Sequence, residues 1–125
     1  MITVIHTANA PAAMGPYSQA LGYDNLIFTS GQIPLRTDGT LVEGDIVAQA
    51  RQVLANVQAV LEAAGSDMAH VLKATVFLSD LGNFNTVNEI YAEAFGDHKP
   101  ARSCVQVAAL PRNVGIEIET IAVKK

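Results

Sequence analysis

Val71-Leu72-Lys73-Ala74-Thr75-Val76-Phe77-Leu78-Ser79 is apolar and rich in β-branched residues, and it reads as one strand. Helical patterns flank it. Upstream, Ile46, Ala50, Val53, Leu54, Val57, Val60, Leu61 and Ala64 fall on one helical face, which predicts a helix over 45–64. Asp45 suits its N-cap and Gly65 its C-terminal stop. Downstream, Phe84, Val87, Ile90, Tyr91, Ala94 and Phe95 mark the buried side of a second helix. Asn83 is placed to cap it and Gly96 to end it.

Outward from this middle, both ends read as strands. Residues 2–6, 17–21 and 26–30 are short strand candidates, with a hairpin-like turn at 22–25. Pro11, Gly15 and Pro16 make 9–16 an ordered loop, and 37–40 is a further turn. Residues 101–109 and 115–123 are the last two strands, joined through 110–114. The order is strands, helix, strand, helix, strands. It predicts a single domain spanning 1–125, with two helices on one face of a sheet of four to six strands.

The other sheet face needs a cover. Side chains alternate across a strand. One face of 71–79 carries Leu72, Ala74, Val76 and Leu78; the other carries Val71, Lys73, Thr75 and Phe77. In 101–109 the sets are Ser103, Val105, Val107 and Ala109 against Arg102, Cys104, Gln106 and Ala108. In the last strand they are Ile116, Ile118, Thr120 and Ala122 against Glu117, Glu119, Ile121 and Val123. The first set of each strand is expected to meet the helices. The second sets mix Phe77, Cys104, Ile121 and Val123 with charge, which suggests an interface and hence a homo-oligomer. An open sheet with an apolar tinge is the plainer alternative.

Bulk properties narrow the function. The chain has 125 residues, half of them apolar and 16% charged, too apolar for disorder. Its 8 Lys and Arg against 12 Asp and Glu form no basic stripe, so nucleic acid is a poor partner. A single cysteine fits a reducing compartment. The first residues lack the pattern of a signal peptide, and no apolar run approaches the ~20 residues of a membrane span. The cytoplasm is the expected location.

Arg102 and Cys104 stand two apart on one strand, with Glu117 assigned to the same mixed face of its neighbour. An arginine on a half-buried strand needs an anionic partner, because its charge cannot be removed. Glu117 or Glu119 is one candidate; a substrate carboxylate, gripped through two parallel hydrogen bonds, is the other. Cys104 has no evident base among His6, His70 and His98, so filler is the simpler reading than nucleophile. The histidines show no metal-ligand spacing, and the glycines form no phosphate loop.

The motifs become specific together. Ala10-Pro11-Ala12-Ala13-Met14-Gly15-Pro16-Tyr17-Ser18-Gln19, Thr29-Ser30-Gly31-Gln32-Ile33-Pro34, Lys73-Ala74-Thr75-Val76-Phe77-Leu78, Val87-Asn88-Glu89-Ile90-Tyr91, Pro100-Ala101-Arg102-Ser103-Cys104-Val105 and Ile116-Glu117-Ile118-Glu119 resemble the RidA (YjgF) family of reactive intermediate deaminases. The resemblance covers essentially the whole chain. It implies a chorismate-mutase-like α+β fold with a mixed sheet, and a homotrimer, sheets facing a central barrel, with sites in clefts between subunits. It also implies cofactor-free hydrolysis of 2-iminobutanoate and 2-iminopropanoate to 2-keto acids and ammonia. By that resemblance Arg102 binds the carboxylate and Glu117 positions or activates water. Tyr17, Ser30, Gly31, Asn88 and Cys104 line the pocket. Two other readings stand beside it: a non-catalytic regulator that binds a small 2-keto acid or amino acid, and a ribonuclease or translation inhibitor.

Overall fold

The computed structural model describes residues 1–125, and its eight main elements follow the predicted order. They are β1 (Ile2–Ile5), β2 (Ala20–Tyr23), β3 (Leu26–Thr29), α1 (Ile46–Ala63), β4 (Val71–Leu78), α2 (Phe84–Phe95), β5 (Ala101–Gln106) and β6 (Ile116–Val123). The strands form one six-stranded sheet in the order β1-β2-β3-β6-β4-β5. Every neighbouring pair is antiparallel except β4 and β5, so the sheet is mixed. That parallel pair needs a crossover, and α2 supplies it. The helices pack on each other and on the sheet from one side.

α1 forms where its periodicity says. Asp45 caps it by accepting from Val47 N at 2.9 Å. At its far end Gly65 adopts φ +83°; Gly65 N donates to Glu62 O and Ser66 N to Leu61 O, a Schellman closure. Val53, Val57, Val60 and Leu61 are fully buried, each stabilising the fold by on the order of 1.5–3 kcal/mol. Neither helix is long and apolar enough to cross a membrane.

Several expectations fail in detail. The strand placed at 17–21 begins only at Ala20, and the one placed at 101–109 ends at Gln106. Asn83 makes no capping bond. The turn before α2 is a single 3-10 turn (Leu81–Asn83) in which Asp80 accepts from Gly82 N. In β4 the pairing with β6 slips between Val71 and Lys73, so Leu72 is an extra residue in a bulge. Val71 therefore points into the core and Leu72 out to solvent, the reverse of strict alternation.

The second face of the sheet is uncovered. Ile2, Val4, Leu21, Tyr23, Phe28 and Val105 are large apolar side chains exposed to solvent. By register most share that face with Thr75, Phe77, Glu117, Glu119 and Ile121.

Candidate active site

Arg102 belongs to β5, the edge strand beside β4. Ala74 lies opposite Arg102, and Val76 opposite Cys104. Opposed residues share a face, and Ala74 and Val76 are fully buried beneath the helices. Arg102 and Cys104 are therefore on the helical side of the sheet. α2 meets the arginine with Phe84, Asn88 and Tyr91, one strip of its surface. Arg102 Nη1 donates to Asn88 Oδ1 at 2.7 Å. Its guanidinium carbon lies 5.6 Å from the centre of the Phe84 ring and 4.9 Å from that of Tyr91. The chain contains three ion pairs, and none involves Arg102.

Cys104 packs against the core from the same strand. Burial raises its pKa, and the smaller pull of Arg102 does not reverse this, so it is a neutral thiol at neutral pH. His70 is engaged with Asp67 at 2.6 Å, and His98 Nε2 lies 2.6 Å from Val71 O.

Glu117 occupies the opposite face. It pairs with Phe77, while Ile116 and Ile118 on either side of it are fully buried. Ser30, Gly31 and Gln32 run alongside. Gln32 N donates to Ile118 O at 2.8 Å and Ile118 N to Gln32 O at 3.1 Å, which ties this segment to β6. Ser30 Oγ donates to Ser18 O at 2.5 Å. A Cβ at Gly31 would come within 2.8 Å of Glu117 Cδ and overlap a carboxylate oxygen. Glycine is therefore what lets the carboxylate lie against the backbone. Tyr17, Ser30, Gly31, Ile33, Pro111 and Glu117 line a cavity of about 370 Å³. A second cavity, of about 420 Å³, shares four of these residues and extends to Met14, Leu35 and Arg112. Burial first, and then repulsion from Glu119, raises the Glu117 pKa.

The expectation that Arg102, Cys104 and Glu117 share a face is thus overturned. The structure brings Arg102, Asn88 and Cys104 together on the helical side. It gathers Tyr17, Ser30, Gly31 and Glu117 on the open side. Neither Glu117 nor Glu119 pairs with Arg102, because the sheet lies between them. Sequence reasoning missed Phe84 and Tyr91 as neighbours of the arginine, having read them only as core. Their spacing with Asn88 was the available signal.

A family model described as Endoribonuclease L-PSP matches residues 7–124. The chain belongs to the endoribonuclease L-PSP (YjgF/RidA) family. Among its relatives, the Escherichia coli K12 protein named 2-iminobutanoate/2-iminopropanoate deaminase is 52% identical over 128 residues, covering 100% of both chains. The crystal structure of a yeast member, YEO7_yeast, superposes with a TM-score of 0.98 at 48% identity and covers 100% of both chains. The crystal structure of Escherichia coli TdcF with bound serine matches with a TM-score of 0.93 at 46% identity, over 98% of this chain and 99% of that one. The single α+β domain described above is accordingly the fold of this family.

Proposed function

We propose that this protein is a cofactor-free hydrolase that converts small 2-imino acids, 2-iminobutanoate and 2-iminopropanoate foremost, into 2-keto acids and ammonia. The observation that carries this reading is Arg102. It is a half-buried guanidinium with one neutral oxygen bonded to it and no carboxylate within ion-pair distance. A permanent cation in that setting calls for an anionic ligand. The deaminase relative is named for 2-imino acids, and TdcF holds serine; both ligands carry a carboxylate on a carbon that bears nitrogen.

Arg102 and Glu117 face opposite sides of one sheet, so a site using both needs two copies. The uncovered apolar face supports the same reading, since it carries Glu117 and is available to a second subunit. We therefore infer a homotrimer of chorismate-mutase type, sheets turned toward a central barrel. Arg102, Asn88 and Cys104 of one copy meet Tyr17, Ser30, Gly31 and Glu117 of the next. Such a protein acts in the cytoplasm, where pyridoxal-phosphate enzymes release enamines and imines.

The chemistry asks for little. An imine beside a carboxylate is already electrophilic, so orientation by Arg102 supplies much of the gain. Glu117 takes a proton as water adds to the imine carbon and returns it to the nitrogen, giving the carbinolamine. The hydroxyl proton then passes by the same carboxylate to the amine, the C–N bond breaks, the C=O bond forms and NH3 leaves with Glu117 ionised again. The balance is one water consumed and one ammonia released. The larger cavity beside Tyr17 leaves room for the alkyl chain.

A coupled assay that generates 2-iminobutanoate with a threonine dehydratase tests this. Arg102→Ala and Glu117→Ala should each be inactive, folded oligomers. Subunits of the two variants refolded together at equal ratio should regain about a quarter of parental activity, because each mixed trimer holds one intact site. No recovery would overturn the shared site. A non-catalytic binder of 2-keto acids or amino acids uses the same Arg102, and failure to accelerate imine decay despite tight binding of 2-ketobutyrate would select it. Ribonuclease action has less support, as 12 acidic residues outnumber 8 basic ones.

A further inference from the structure

We propose that Phe84 and Tyr91 are positioning residues for the carboxylate site: their rings hold the Arg102 guanidinium against α2, so that it stays oriented without a carboxylate of its own. The inference rests on the reading of Arg102 given above and adds what makes that arginine usable.

A half-buried guanidinium must be stabilised by something. The usual partner is aspartate or glutamate, but such a partner would compete with the substrate for the same fork. An aromatic face attracts the cation through its ring quadrupole and occupies none of its N–H groups. Here two rings do so, at 5.6 Å and 4.9 Å, and the single hydrogen bond goes to the neutral oxygen of Asn88. The three residues sit at positions i, i+4 and i+7 of α2, so one rigid helix sets all three contacts. The Tyr91 ring is packed in place. Tyr91 stacks on Phe95 with centroids 4.5 Å apart, and both are buried. Phe84 opens the helix directly after the 3-10 turn that Asp80 caps.

The Tyr91 hydroxyl is buried and makes no hydrogen bond. It contributes nothing to holding Arg102 or Asn88, so the ring is the working part. Leucine at position 84 would fill similar space but offer no electron-rich face.

The test separates the clamp from the site it serves. KM and kcat are measured for 2-iminobutanoate, with the dissociation constant of 2-ketobutyrate as a reading independent of turnover. Phe84→Leu should raise KM and that dissociation constant about fivefold, with kcat within twofold of the parent and the oligomer intact. Phe84→Tyr should restore both to within about twofold. Tyr91→Leu, which removes the second ring, should raise both in the same direction. In the parent, ¹⁵N-arginine spectra should show the Arg102 guanidinium rotating slowly, with ring-current-shifted protons; Phe84→Leu should speed that rotation. Unchanged affinity in a folded Phe84→Leu variant, or a loss that Phe84→Tyr does not restore, overturns the clamp. So does unchanged affinity in a folded Tyr91→Leu variant. If Phe84→Leu fails to fold, a freely rotating Arg102 in the parent overturns it alone. Unchanged 2-ketobutyrate binding by Arg102→Ala sinks the carboxylate reading instead, and the rotation measurement still judges the clamp.

Discussion

Arg102 and Glu117 sit two strands apart, and one chain treats them in opposite ways. The Arg102 end is finished within a single subunit: α2 supplies an acceptor at 2.7 Å and two aromatic faces. The Glu117 end is cramped. Its carboxylate lies against Gly31, burial and Glu119 disfavour its charge, and the face around it is apolar and bare. A finished cation and an unfinished anion on opposite faces suit a site that closes only on assembly. Binding can then be built into one subunit, while the chemistry waits for the second.

The sharpest way to break the contrast is to blunt each end separately. Glu117→Gln keeps shape and hydrogen bonding but removes the proton acceptor. It should lower kcat by roughly 10²–10⁴ while KM stays within a few-fold, in steady-state kinetics with imine generated in place. Arg102→Lys keeps the charge and loses the fork. It should raise KM by about tenfold or more with a smaller effect on kcat. If both variants change the same constant, the division between a binding end and a reacting end is wrong.

Gly31→Ala probes the cramped end alone. The added methyl collides with the Glu117 carboxylate, and β6 holds that strand in place through Gln32 and Ile118. The side chain must turn away, so kcat should fall by about one to two orders of magnitude in a protein that still folds. Affinity for 2-ketobutyrate should fall less, because Arg102 is untouched. Cys104→Ser should do least among the pocket residues. The thiol is neutral and packed into the core, so activity should remain within a few-fold of the parent, at a cost to stability of about 1 kcal/mol measured by thermal unfolding.

Much of this was legible in the sequence, but not the part that decides the site. β6 was read correctly: Ile116, Ile118, Thr120 and Ala122 are buried as its alternation predicts. α1 was read to within a residue at each end. In β5 alternation grouped Arg102 with Cys104 correctly and then assigned the pair to the wrong face. Alternation says which residues share a side; register says which side it is. That register comes from parallel pairing with β4, a contact between strands separated by a helix. The Leu72 bulge likewise reversed the reading of Val71 and Leu72 at the start of β4. Composition misled as well, because Val105 looks like core and lies exposed at the edge, whereas Arg102 looks like surface and is held inside by Phe84 and Tyr91.

The smallest expected effect concerns pH. Glu117 must be ionised to accept a proton from water, so kcat should fall as pH drops through its pKa. That pKa is raised first by burial and second by the negative charge of Glu119. Glu119→Gln removes the second cause, lowers the Glu117 pKa and extends activity to more acid conditions. The displacement should be modest, since Glu119 is the lesser cause and is exposed to screening solvent. Added salt should move the acid limb of the parent in the same direction and leave that of Glu119→Gln nearly still. KM at neutral pH should not change, because in the proposed site Arg102, on the other face of the sheet, grips the carboxylate. An acid limb that ignores both salt and Glu119→Gln would assign the titration to a group other than Glu117. The open face would then lose its claim to the chemistry, while the Arg102 end would keep its claim to binding.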